Sequence, residues 1–224
     1  MASVTDAKTI IDDALLALSD VGATRWATSE LLEWLNCGQL EIATLVPNSN
    51  TASISKLLVA GTKQTAPSDS IRLIEFTRNM GSNGSSPGKA IRQIERKYLE
   101  RYTPNWSTDT ASAEVMHVMY DAEDNNTVFY CYPQQPVTPQ YIEIIYSQIP
   151  ATIPNATAGT KITIADYYKN ALLDYVLYRA LSKDGEYGNQ DARAHGHYKM
   201  FSDAVGIKFQ ADTNANNTPE MKPK

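Results

Sequence analysis

Lys89, Arg92, Arg96, Lys97 and Arg101 crowd into one stretch of this chain, interleaved with Tyr98 and Tyr102 and followed by Trp106. Cations set beside aromatic faces can hold a phosphate backbone, stack on bases or meet an acidic protein surface. Glu95 and Glu100 fall inside the same stretch and dilute its charge. Three readings of it stand side by side: an ordinary solvated face, a protein interface and a DNA contact. The formal net charge of −5 weighs against general nucleic-acid binding, because phosphate affinity comes from clustered Lys and Arg. The candidate interface residues are Arg92, Arg96, Lys97, Tyr98, Arg101, Tyr102 and Trp106.

Other reactive side chains are scattered. His195 and His197 lie two apart, so on a helix they point to different faces and share no metal. Asp121, Glu123 and Asp124 look like part of a calcium loop, but the glycine and closing glutamate of such a loop are missing; they read as solvated turn carboxylates. Cys37 and Cys131 have no second cysteine nearby, which predicts reduced, buried small residues rather than a redox or zinc motif. The chain lacks a phosphate loop, a dinucleotide-binding glycine fingerprint, an HExxH motif and a serine nucleophile elbow. Carboxylate pairs for glycoside cleavage assemble in space and leave little trace in sequence. The expectation is no enzyme activity, no cofactor and no metal.

Size and hydropathy frame the elements that position these groups. At 224 residues the chain can bury a proper core as one domain or two small ones. No run approaches the roughly 20 apolar residues that a membrane span needs, and the first residues lack both parts of a signal peptide; the expectation is a protein with no membrane association. Asp166 to Phe209 read as two long helices joined by residues 183–188. The first is apolar around most of its circumference, with Tyr168, Leu172, Tyr175, Val176 and Arg179 on one stripe and Leu173, Leu177, Ala180 and Leu181 on the next. It must therefore be wrapped by other protein and form the hub of the fold. The second offers one seam: Ala194, Tyr198, Phe201, Val205 and Phe209.

At the other end, Thr5 or Asp6 can cap a helix to about Asp20 with the stripe Ala7, Ile10, Ile11, Ala14, Leu15 and Leu18. A second helix starts with Thr28 as cap and Glu30 in its first turn, where a carboxylate suits the dipole. Its stripe is Leu31, Trp34, Leu35, Gly38, Ile42, Leu45 and Val46. Gly38 costs about 1 kcal/mol relative to Ala in mid-helix and marks either a close helix crossing or a tolerated surface glycine. Between Asn48 and Gly159 the pattern changes to short β-branched and aromatic runs. Expected strands are 55–59, 71–79, 89–94, 115–121, 127–132 and 140–146, with a hairpin loop at 121–126, Pro133 and Pro136 ending the hairpin, a flexible glycine-serine loop at 81–88 and a short helix at 95–102. Residues 210–224 are polar and proline-bearing, which predicts a mobile tail. The fold class expected is α+β: a four-helix bundle from residues 1–47 and 160–209, a mainly antiparallel β insertion at 48–159, and a flexible C-terminal arm at 210–224.

Three stretches, taken with this order of elements, carry a resemblance: Arg25 to Ile42, with Trp26, Glu30, Trp34 and Gly38; Ile71 to Glu75 leading to Arg78-Asn79-Met80-Gly81; and Asn170 to Ala180 with Ser182-Lys183-Asp184. Together they resemble the head-to-tail adaptor proteins of tailed bacteriophages, of the tail tubular protein A type found in podoviruses, over residues 5–209. The resemblance implies a structural virion protein at the capsid vertex, made in the cytoplasm of the host bacterium. It implies a ring, usually dodecameric, between the portal protein and the tail nozzle or tail tube, with genomic DNA passing through without sequence-specific binding. It implies that the arm, including Gln210, Asp212, Asn216, Pro219, Met221, Lys222 and Lys224, reaches the portal; the basic segment is a candidate subunit or tail interface, with a neighbouring subunit, the nozzle and DNA all open as its partner. Two alternatives belong to other classes: a virion-associated glycan hydrolase and an interaction module unrelated to virions.

Overall fold

The computed structural model describes residues 3–122, 126–138, 140–183 and 190–216. The chain divides into two units, residues 1–50 with 150–224 and residues 51–149. The first is helical. Its helices are α1 (Ala7–Ala17), α2 (Thr28–Leu45), α4 (Lys169–Lys183) and α5 (Gln190–Asn216). α4 packs against α1, α2 and α5, which is the wrapping its apolar circumference demands. Its Leu172, Val176 and Ala180 are fully buried, as are Leu31, Leu35 and Ile42 of α2 and Ala7, Ile10 and Ala14 of α1. Phe201 and Val205 of α5 close the core from the other side.

The helix termini differ from expectation in detail. Asp6 occupies the cap position of α1 without a side-chain cap bond, because its carboxylate pairs instead with Lys161 at 2.7 Å. α2 begins at Thr28 with Ala27 as its cap; the side-chain acceptor of this turn is Asp20, which receives the N–H groups of Thr24, Arg25 and Trp26 at 2.8–3.0 Å. α5 does not stop at Phe209 but runs to Asn216. No glycine or proline interrupts residues 207–216, and a helix once nucleated adds a backbone hydrogen bond per residue. The expected arm therefore begins as helix through residue 216, and its members Pro219, Met221, Lys222 and Lys224 lie outside the described residues, as does most of the 183–188 connection.

Two polar side chains on the buried face of α2 tie the returning chain to it. Asn36 exchanges two hydrogen bonds with the backbone of Ile153. Gln39, fully buried, accepts from the Thr163 amide at 2.7 Å and hydroxyl at 2.9 Å. Asp166 fastens the N-terminal segment in the same manner. It accepts from the Ser3 hydroxyl at 2.7 Å and from the Val4 and Thr5 amides, and these donors, the Ser3 hydroxyl first, hold its carboxyl far below the usual carboxylate range.

The second unit is a pair of packed sheets. β1 (Thr51–Leu57), β7 (Tyr141–Gln148) and β3 (Ser70–Asn79) form one, with β7 central and every pairing antiparallel. β2 (Gly61–Thr65), β6 (Val128–Gln135), β5 (His117–Met119) and β4 (Arg92–Gln93) form the other in that order, antiparallel apart from β4 with β5. Inward residues of both, Leu73, Phe76, Val118, Phe129, Ile142 and Ile144, share one core, with the rings of Phe76 and Phe129 5.0 Å apart.

Four expectations change here. β2 is an addition, because its sequence Gly61-Thr62-Lys63-Gln64-Thr65 carries no apolar residue. It is held by Gln64, which is 1% exposed and bonded to both backbone groups of Val59. Pro133 does not end the hairpin: β6 continues to Gln135, and Pro133 sits where the register against β2 jumps between Gly61 and Lys63, so its missing N–H interrupts no regular ladder. The 81–88 loop is tied rather than loose, through Ser86 N–H to Met80 O, Gly88 N–H to Asn79 O and Tyr141 N–H to Gly81 O. Gly84, at φ +72°, lies so close to Tyr141 that a Cβ would stand 3.0 Å from its ring. Cys37 is exposed on α2, whereas Cys131 is fully buried; helical spacing sets Cys37 one step off the α2 core stripe.

Five aspartates in the two units share one electrostatic sign. Asp6 beside Lys161, Asp20 under the Trp26 amide, Asp69 bonded by Gln148, Asp109 bonded by Tyr132 and Asp166 are all held below the ordinary value. A group depressed in the folded state adds stability that is fully present above its unfolded pKa, about 3.9 for Asp, and is lost as pH falls through the folded value. Thermal midpoints are expected to stay level from neutral pH to about 5 and to fall steeply below about 4. A midpoint that rises on acidification would contradict these contacts.

Candidate functional site

α3 (Arg96–Tyr102) positions most of the basic segment. The helix buries one side chain, Leu99, against Trp106 and Met119 on the outer face of the β6–β5 sheet, with Ile94, Tyr130 and Tyr132 around them. Thr103 donates to the Leu99 carbonyl, and Pro104 follows, where a helix cannot continue. Because Leu99 alone points inward, the remainder of the helix faces out.

Trp106, a candidate interface residue by sequence, is 6% exposed and meets Tyr130 edge-on at 5.8 Å. It anchors the platform and presents no surface. Tyr98 and Tyr102 are 59% and 67% exposed, one turn apart with ring centroids at 4.9 Å. Arg96 pairs with Glu100 at 2.7 Å and lies over the Tyr130 ring at 5.5 Å, a cation–π arrangement that fixes it in place. Lys89 pairs with Glu114. Lys97 and Arg101 are exposed and make no ion pair with a carboxylate among the described residues. Arg92 lies on β4 beside His117; burial, and after it the Arg92 charge, pushes the His117 imidazole down, so this histidine is neutral at physiological pH.

Beside α3 lies a concave site of about 560 Å3, floored by Ile94, Met119, Val128 and Tyr130 and edged by Lys63, Glu95, Lys97 and Asp121. Both signs of charge line it. Glu100, the carboxylate nearest the helix centre, is engaged by Arg96. Among the described residues, no group of three His, Cys, Asp or Glu side chains could hold a metal ion. Of the two histidines on α5, His197 meets Asp174 of α4 at 2.9 Å and His195 is exposed, so the two do part to different faces. Of the acidic turn, Asp121 is described and Glu123 and Asp124 are not. The arrangement suits recognition: two exposed rings, two uncommitted cations and a firm apolar anchor beneath them.

A family model described as SU10 adaptor protein matches residues 5–222. The chain belongs to this family of phage head-to-tail adaptors. The adaptor is accordingly a structural component of a bacteriophage virion, and the reading as an interaction module unrelated to virions is set aside. The family is structural and not one of enzymes. No curated protein matches the chain. Among the described residues of the adaptor, no helix is long and apolar enough to cross a membrane.

Of the arm residues, Gln210 is exposed on α5 and Asp212 and Asn216 lie in the same helix. The polar ties made by Asn36, Gln39 and Asp166 were not singled out by sequence. Only Asp166 carried a signal, an acidic residue opening a helical segment where a dipole and free amides welcome it.

Proposed function

We propose that the adaptor assembles as a ring, dodecameric by analogy with its class, between the portal protein and the tail nozzle or tail tube at the head-tail junction. The observation that carries this reading is the family match over residues 5–222. The helical unit packs side by side around the ring, the β unit faces the tail, and the C-terminal segment from Gln210 to Lys224 engages the portal. In support, the backbone of α5 continues as helix to Asn216, with Gln210 exposed on it, so the segment proposed to reach the portal begins on a helix. The formal charge of −5 suits a conduit, since an acidic wall lets genomic DNA slide past without phosphate adhesion. A single arm orders on binding and holds weakly, and a ring of arms holds firmly through multivalency. The chain is synthesised in the host cytoplasm, stays monomeric or loosely associated alone, and closes its ring on the portal.

Co-expression with the portal of the same genome, followed by native mass measurement, tests this. Full-length adaptor is expected to co-purify as a ring on the portal, and a chain truncated after Phe209 to be lost from it. A stable closed ring of isolated adaptor would overturn templated assembly, and no portal complex with either form would overturn the placement.

A further inference from the structure

Among the described residues, α3 and α2 carry charges outside any ion pair, and those charges are of opposite sign. On α3, Arg96 is neutralised by Glu100, which leaves Lys97 and Arg101 beside the exposed rings of Tyr98 and Tyr102. On α2, Glu30 is neutralised by Lys183 at 2.6 Å, which leaves Glu33 and Glu41. Both are exposed and lie two turns apart, linked by the exposed Cys37, which is four residues from each. Leu40, 46% exposed, lies between them, and Leu45, 49% exposed, continues the apolar edge one turn on. One face is thus cationic and aromatic, the other anionic and aliphatic.

We infer that the Lys97–Tyr102 face of α3 in one copy docks on the Glu33–Leu45 face of α2 in the next. The complementarity is double: Lys97 and Arg101 meet Glu33 and Glu41, while the tyrosine rings cover Leu40 and Leu45. Tyrosine and arginine are the residue types that most often carry interface energy, and opposed charges fix register and partner choice. Because the two patches differ, the contact is head-to-tail, the kind that propagates from copy to copy and closes as a ring when its rotation permits. This rests on the ring reading above and supplies its subunit contact. The alternative occupant of the α3 face, DNA, would leave the α2 stripe without a role.

Reciprocal charge reversal tests the pairing. K97E/R101E and E33K/E41K are each expected to reduce adaptor–adaptor association at least about tenfold, and the four changes together to restore it. Association is read as adaptor copies per portal in the co-expressed complex and, in parallel, by chemical cross-linking of the concentrated isolated chain. All four positions are exposed, and unchanged circular dichroism and melting confirm that the variants fold. A quadruple variant no better than the doubles, wild-type association indifferent to the reversals, or no adaptor–adaptor contact in either setting would overturn the inference. Loss of DNA retention by K97E/R101E with association intact would assign the α3 face to DNA instead. A wild-type chain that fails to bind portal yet shows the reversal-and-rescue pattern in isolation would sink the portal reading while leaving this contact standing.

Discussion

Gly38→Val is expected to destabilise the helical unit by about 2–3 kcal/mol, and even Gly38→Ala to destabilise it by about 1 kcal/mol. In an open helix the alanine change would stabilise by about 1 kcal/mol, so the two predictions differ in sign from simple propensity. The reason is the crossing of α2 with α4. A Cβ at Gly38 would stand 2.9 Å from Tyr175 Cδ1 and 3.2 Å from Leu172 Cδ2. Tyr175 cannot swing aside, because Phe201 meets its ring edge-on at 5.1 Å and Tyr178 at 6.0 Å, and the residue is 7% exposed. An added methyl must therefore separate two helices or displace an aromatic cluster. Urea unfolding followed by the helical circular-dichroism signal reads the effect. A raised midpoint for Gly38→Ala would show that the crossing is slack.

Asn79→Ala is expected to destabilise the β unit by about 3 kcal/mol. Asn79, 5% exposed, donates to the carbonyls of Val115 at 2.9 Å and Lys89 at 3.0 Å, and accepts from the Val115 amide at 2.8 Å. It therefore stands in for a strand partner, joining β3 to the segment that leads into β5. Alanine would leave both peptide groups of Val115 buried without partners, and an orphaned buried polar group costs about 1–3 kcal/mol. Trp106 is the single tryptophan of this unit, since the other two are Trp26 and Trp34. Its fluorescence, in a chain with those two replaced by phenylalanine, reports the loss directly. An Asn79→Ala midpoint within error of the parent would refute the bridging role.

Apolar periodicity made the helical unit legible. The stripe expected for α1 is the one buried, and the apolar girth of α4 predicts its hub position without any contact map. Gly38 proved to be the close crossing. Polar residues were harder to read, because nothing local distinguishes a solvated Gln39 or Asn79 from one that replaces a backbone partner from far along the chain. The same limit hid β2, whose inward group is Gln64. Trp106 was misread because aromatic residues next to cations look alike whether they form a platform or a contact; what decides is Leu99, whose burial turns α3 onto Trp106. Local composition also set the end of α5 too early. It registers the polarity of Asp212, Thr213 and Asn214 but not the momentum of a helix already running from Gln190 to Phe209.

The order of elements carries a consequence for synthesis. β7 is the middle strand of its sheet and the last strand of its unit, so β1 and β3 have no mutual pairing to make until residues 141–148 leave the ribosome. α1 and α2 likewise meet their common partner only when α4 emerges. Both units thus remain open during translation until residues 141–183 have emerged, and then close within a short interval. An interrupted chain is left with unpaired strand edges and bare apolar helix faces, the surfaces that chaperones and proteases act upon. Any surface that depends on either folded unit is therefore withheld until residue 183 has been made.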